Sequence, residues 1–144
     1  MDDFMQAALA EARAGLREGG IPIGSVLVRD GKIVGRGRNR RVQDGDPVMH
    51  AEMDCLRKAG RVGGYRGTVL YSTLMPCYLC AGAVVQFGIP KVVAGEAQTF
   101  PGAPDFMRDH GVEVEDWNLP ECVELMREFI ARHPRLWQED IGQL

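Results

Sequence analysis

Near the start of the chain Phe4, Ala8, Ala12 and Leu16 stand four apart, with Glu11, Arg13 and Arg17 between them. That spacing predicts an amphipathic helix over residues 3–17, stopped by Gly19 and Gly20. The period then changes. "SVLVRDGKIVGRGRN" holds two apolar runs joined at Asp30-Gly31, a pair that accepts the positive φ of a tight turn, and it predicts a β-hairpin. The loop "RRVQDGDPV" leads to a helix that begins near His50 and stops by Gly60. "GTVLYSTL" predicts a third strand, and Pro76 stands where helices often begin.

From Cys77 to Phe87 the residues are apolar nearly all round (Ala81, Ala83, Val84, Val85), which predicts a helix buried between the sheet and its neighbours or at a subunit contact. "KVVAG" reads as a short interior strand, "PGAPDFMRDHG" as a loop and short helix, and "VEVED" as a fifth strand. In "PECVELMREFIARH" the residues Val123, Met126, Phe129 and Ile130 recur at helical spacing, and the tail "PRLWQEDIGQL" follows. No repeat, low-complexity tract or linker interrupts the series. Helices alternating with strands predict an α/β fold, a three-layer α/β/α sandwich around a central five-stranded mixed sheet.

A chain of 144 residues is expected to form one domain, residues 1–144, with a core large enough to need no disulfide staples. No apolar run approaches the length of a membrane span. The first twenty residues carry Asp2 and Asp3 where a secretory signal carries positive charge, so a cytoplasmic protein with reduced thiols is expected. The net charge of -3 and a pI of about 5.6 give the whole chain no electrostatic attraction to nucleic acid. Arg36, Arg38, Arg40 and Arg41 form one local basic cluster, readable as a short phosphate contact or, better, as a solvated strand end and loop.

Chemistry concentrates in "HAE" at residues 50–52 and "PCYLC" at residues 76–80. Cys77 and Cys80 are three apart at a helix start, so both thiols fall on one face and can share a metal. His50 and Glu52 are two apart, a spacing that serves one site only at a helix N-terminus. A helix of about ten residues runs roughly 15 Å away from His50, "GRVGGYRG" reverses the chain, and the strand over residues 68–72 returns Cys77 beside His50. The four groups then meet at the carboxyl edge of the sheet, where open α/β folds place their sites. Both helix N-termini favour negative charge there.

Three protein ligands, His50, Cys77 and Cys80, leave a zinc ion one open position, as in a catalytic site. Water at such a position becomes acidic enough to react near neutral pH, and Glu52, free of the metal, is the acid–base candidate. Packed thiols, a His50 helix cap and a Glu52 dipole partner are the separate alternatives. A structural zinc needs a fourth ligand from Cys55, Cys122, His110 or His133, of which the cysteines read as core and the histidines as helix-end residues.

The pattern His-x-Glu followed by Pro-Cys-x-x-Cys resembles the cytidine-deaminase superfamily. Within it the chain is most similar to fungal-type cytosine deaminase, over "EGGIPIGSVLV", "GRGRNRR", "HAEM", "LYSTLMPCYLCAGAVVQFGIPKVVAGE" and "FIARHPRLWQEDIG". The resemblance implies one zinc per chain on His50, Cys77 and Cys80, with Glu52 as proton shuttle. It implies a substrate pocket in which Asn39 hydrogen-bonds the pyrimidine, Phe100 and Trp137 form aromatic walls, Ile23 contacts the ring and Asp140 reads its polar edge. Backbone N–H groups near Ala51 and Cys77 are expected to orient the reacting atoms.

The resemblance further implies a homodimer, a small-molecule nucleobase and water as reactants, and a place in pyrimidine salvage. Ala51, Met75, Tyr78 and Gln138 depart from the fungal pattern, and Met75 and Tyr78 adjoin the thiolates. The reaction expected is hydrolysis of cytosine to uracil and ammonia. Alternatives are another amino-heterocycle (guanine, isocytosine or creatinine), tRNA adenosine, or a zinc-binding module without catalysis.

Overall fold

A computed structural model describes residues 1–144. Its first helix, α1 (Asp3–Arg17), begins where Asp2 caps it: the Asp2 carboxylate accepts the Met5 N–H at 2.9 Å. The hairpin follows as β1 (Gly24–Arg29) and β2 (Lys32–Arg38), turned at Asp30 and Gly31, both of which take positive φ. A one-turn helix, α2 (Arg41–Asp44), lies inside the stretch expected to be loop. Then come α3 (Ala51–Ala59), β3 (Thr68–Ser72), α4 (Tyr78–Phe87), β4 (Lys91–Ala94), α5 (Pro104–Asp109), β5 (Glu113–Asp116), α6 (Pro120–Arg132) and α7 (Pro134–Asp140). Pro134 opens α7 within the expected tail.

The five strands form one mixed sheet in the order β2-β1-β3-β4-β5, antiparallel from β2 to β3 and parallel from β3 to β5. Side chains alternate across it with the period of a strand. Val26, Val28, Tyr71 and Val93 pack against Met5 and Ala8 of α1. Leu27, Leu70 and Val92 face the other way, onto Cys55, Leu56, Ala81, Val84 and Met107 of α3, α4 and α5. With helices on both faces, β1 is buried over five of its six residues and reads as a continuous apolar run. Burying a side chain such as Leu27 or Leu70 contributes about 1.5–3 kcal/mol.

Two glycines let α3 lie close to β2. A β-carbon on Gly35 or Gly37 would collide with the backbone of α3, at Cys55 and Ala59 for the first and at Ala51 and Cys55 for the second. The "GRGR" of the sequence is therefore a packing surface as well as a basic one. Its arginines are not solvated freely, as expected, but paired. Arg36 and Arg38 meet Glu11 of α1 at 3.0 and 2.9 Å, Arg38 also meets Glu18, Arg40 meets Asp54 of α3 at 3.0 Å, and Arg41 meets Glu139 of α7 at 3.1 Å.

α4 is buried within this chain on one side only. Cys80, Ala81, Ala83 and Val84 are inside, but Tyr78, Leu79 and Phe87 are 76%, 43% and 46% exposed. One face of the helix meets the sheet, and within this chain no other layer covers the opposite face. No helix is long and apolar enough to cross a membrane.

Candidate active site

The register of the sheet brings one set of segment ends together. Gly24 pairs with Arg38 and Ser25 with Ser72, so the entry to β1 and the exits of β2 and β3 share an edge. Backbone hydrogen bonds stitch that edge: Asn39 N–H donates to the Ile23 carbonyl at 3.0 Å, Thr73 N–H to Gly24 at 3.0 Å, and Met75 N–H to Glu96 at 2.8 Å. Ile23, Asn39, Met75 and Phe100 converge as a result, although they are scattered along the chain.

The N-termini of α3 and α4 meet at the same edge. His50 and Cys77 are the residues that precede the first turns of the two helices, and neither spends its side chain capping its own helix. His50 Nδ1 lies 3.4 Å from Cys77 Sγ and 3.7 Å from Cys80 Sγ. In a tetrahedral zinc site, with Zn–N near 2.05 Å and Zn–S near 2.3 Å, a nitrogen and a sulfur ligand stand about 3.6 Å apart. The two distances bracket that value. The three donor atoms lie within 4.8 Å of one another, and no other histidine, cysteine or carboxylate joins them. His50, Cys77 and Cys80 are thus positioned to bind one zinc ion, with room for a fourth ligand that the protein does not supply.

The other ring nitrogen of His50 faces the tail. Nε2 stands 2.9 Å from Asp140 Oδ1, as a close ion-pair contact. A carboxylate there favours the proton on Nε2 and leaves Nδ1 free for metal.

Without metal the cluster holds protons in a definite pattern. Burial disfavours charge on His50, but Asp140 and Cys77 more than offset it and raise the imidazole to about 10. Hydrogen bonding from Cys80, outweighing burial and aided by His50, lowers Cys77 to about 4. The Cys77 thiolate in turn, with burial, pushes Cys80 upward. Burial, and then the negative charge of Cys77, raises Glu52 to about 7. A divalent cation reverses much of this by displacing the protons of its ligands.

A pocket of about 340 Å³ opens onto the cluster. Ile23, Asn39, His50, Glu52, Met75, Cys77, Phe100, Trp137 and Asp140 all line it, so it gathers nearly every site residue singled out in the sequence. Cys80 is fully buried behind its wall. Ala51 is not among the lining side chains: its methyl belongs to the apolar cluster with Ile21, Ile23 and Leu74. Its N–H, in the first turn of α3, has no acceptor in the chain.

Phe100 and Trp137 meet edge to face, with centroids 6.3 Å apart. Met75 is buried in the wall, whereas Tyr78 projects outward at the rim. Cys55 and Cys122 are buried and unpaired, as expected of core residues, and burial pushes both thiols up to about 12. His110 and His133 stand at helix ends, also as expected.

Sequence reasoning missed Arg41, Pro47, Leu74, Leu79 and Ile141 as lining residues. Arg41 carried a signal, as a charge two residues beyond Asn39, but its partners lie in the distant tail.

An α/β/α sandwich with a His-Cys-Cys cluster at paired helix N-termini and a buried carboxylate beside it is the architecture of a zinc-dependent deaminase. Residues 1–96 match the family model for the cytidine and deoxycytidylate deaminase zinc-binding region, and the chain belongs to that family. It is 42% identical over 142 residues to a cytosine deaminase of Candida albicans, covering 96% of this chain and 95% of the relative. It is also 39% identical over 141 residues to a tRNA-specific adenosine deaminase of Streptococcus pyogenes, covering 90% and 89% of the two chains.

Among solved structures, a tRNA:A34 deaminase superposes with a TM-score of 0.76 at 31% identity, over 85% of this chain and 97% of the other. Guanine deaminase from Nitrosomonas europaea shares the fold, with a TM-score of 0.77 at 22% identity over 89% and 83%. The chain is a zinc-binding member of a family of hydrolases that act on amino-heterocycles.

Proposed function

We propose that the protein hydrolyses a free nucleobase, converting cytosine and water to uracil and ammonia. The observation that carries the reading is a buried carboxylate, Glu52, which is 4% exposed and shares a base-sized pocket with the His-Cys-Cys cluster. Cytosine is favoured by the Candida relative, whose likeness spans nearly the whole of both chains.

Bound zinc supplies the electrophilic pull that makes a water nucleophilic at neutral pH. The residues of the chain do the remaining work. Glu52 takes the proton of the attacking water as its oxygen bonds to C4, and passes that proton to N3. It then moves the second water proton from the new hydroxyl to the amino group. The C4–N bond breaks, ammonia leaves, and the oxygen remains as the C4 carbonyl.

Asn39 Nδ2 is buried without a partner while its Oδ1 accepts the Arg41 N–H at 3.0 Å, so the amide offers the pocket a donor, suited to the ring carbonyl. Asp140 accepts from an N–H of the base. Phe100, Trp137, Ile23 and Met75 enclose the flat ring with apolar and aromatic surface.

A second reading, deamination of adenosine in tRNA, is favoured by the 39% identity to the Streptococcus enzyme. Against it stand the four arginines of the basic cluster, each already paired with a carboxylate. So does α7, which closes over the pocket with Trp137 and Asp140.

The exposed apolar residues of α4 support a homodimer, which sedimentation would report as twice the 15.9 kDa of one chain. Four unpaired cysteines fit a reducing compartment such as the cytoplasm. The deciding experiment is ammonia release by zinc-loaded protein from cytosine, isocytosine, guanine, creatinine and a tRNA transcript. Cytosine should give the highest kcat/KM; a higher value for guanine or the transcript would overturn the assignment.

A further inference from the structure

We propose that Arg41 is a positioning residue that seats α7 on the pocket and thereby sets Asp140 and Trp137 in place. This rests on the pocket being the substrate site, but not on which base it takes. The Arg41 side chain is only 11% exposed and joins two segments, the loop before His50 and the end of α7. Its Nη1 donates to the Pro47 carbonyl, in the loop that leads to His50. Its Nη2 meets Glu139 Oε1 at 3.1 Å and its Nε meets Asp140 Oδ1 at 3.4 Å, both at the end of α7. Its backbone N–H holds Asn39 Oδ1 at 3.0 Å.

The other arginines of the cluster are committed to α1 and α3, through Glu11, Glu18 and Asp54. Arg41 alone among them crosses to the tail.

Its two acidic partners are not equivalent. Glu139 is 58% exposed, so that pair is screened and contributes little. Asp140 is 4% exposed, and its Oδ1 lies between Arg41 Nε and His50 Nε2. A guanidinium addresses such a set because its five N–H groups point in fixed directions in one plane. A lysine ammonium keeps the charge but cannot reach Pro47, Glu139 and Asp140 together. Apolar packing of Trp137, Leu136 and Ile141 against Phe129 and Ile130 of α6 holds α7 to the body in any case. Loss of Arg41 is therefore expected to shift the helix end over the pocket and leave the rest of the chain folded.

The test uses the zinc-loaded protein with Trp117→Phe as background, leaving Trp137, buried in α7, as the one remaining tryptophan. In Arg41→Gln, acrylamide quenching of Trp137 should rise about twofold or more. KM for the base identified by the substrate panel should rise about ten- to a hundredfold, the equivalent of losing one hydrogen bond to a charged group such as Asp140. Zinc content should stay at one per chain. Glu139→Gln should change both readings by less than threefold, and Arg41→Lys should fall between wild type and Arg41→Gln. If Arg41→Gln does not fold, the same two readings on Arg41→Lys decide. A folded variant with native quenching, or one with raised quenching and an unchanged KM, would overturn the proposal. The quenching arm needs no substrate, so its failure is distinguishable from failure of the cytosine assignment.

Discussion

Asn39 and Arg41 are two residues apart, and the N–H of Arg41 holds the amide oxygen of Asn39 at 3.0 Å while Asn39 Nδ2 stays buried and unpartnered. A buried donor without a partner costs about 1–3 kcal/mol. A ligand carbonyl recovers that cost on binding. If Asn39 meets the substrate as proposed, the site is organised before substrate arrives, and a base that offers a donor at the same place should bind more weakly.

Asn39→Asp replaces this donor with an acceptor and places a negative charge in the pocket. It should raise KM for cytosine by at least about tenfold, as expected for a lost hydrogen bond to a buried group. Zinc content should be unchanged, because Asn39 does not belong to the metal cluster. Steady-state kinetics with metal analysis checks both, and an unchanged KM would remove Asn39 from the substrate contacts.

Metal removal has a predictable pH dependence. The metal-free site holds a proton on His50, raised to about 10, and another on Cys80, while Cys77, lowered to about 4, is already a thiolate. Zinc must displace the two held protons, so its affinity should weaken as pH falls and its binding should release protons into unbuffered solution. A chelator should lower the melting temperature and abolish ammonia release. It should leave a folded protein, because the main apolar clusters do not depend on the ion. Titration calorimetry in buffers of different ionisation enthalpy measures the proton release.

Asp54 gives a second pH signature, away from the metal. Its carboxylate is fully buried on α3 and accepts from Arg38 N–H, Arg40, Arg57 and Lys58 at 2.9 to 3.1 Å. Burial alone would raise it, but the hydrogen bonds led by Arg57 and the Arg38 N–H hold it down at about 2. A depressed folded pKa contributes stability that is fully present above the unfolded value near 3.9 and is lost as pH falls through about 2. Melts between pH 5 and pH 2 should show that loss in the wild type and less of it in Asp54→Asn. At neutral pH the variant should be less stable by on the order of 3 kcal/mol, since its cationic partners lose their counter-charge.

Much of this was legible in the sequence for identifiable reasons. Helical spacing of apolar residues marked α1 and α6, apolar runs marked the strands, and Asp30-Gly31 marked the hairpin, because each is a local property. The metal cluster was legible because His50, Cys77 and Cys80 sit at helix starts joined by one helix and one strand. Three features were not. α2 is one turn long with no buried residue, so it leaves no apolar period to read. The Arg41–Glu139 pair joins residues 98 apart in the chain, and no local pattern announces such a partner. The apolar composition of α4 suggested burial all round, but composition cannot say whether this chain or a second copy covers its outer face.

Zinc content and ammonia release from cytosine, measured together on Glu52→Gln, test the proposed chemistry most directly. The change keeps the shape of the side chain and removes its ability to carry a proton. The protein should retain one zinc per chain and lose at least about a hundredfold in kcat, the lower range for a positioned acid–base group. A folded, zinc-loaded Glu52→Gln that releases ammonia at the wild-type rate would contradict it.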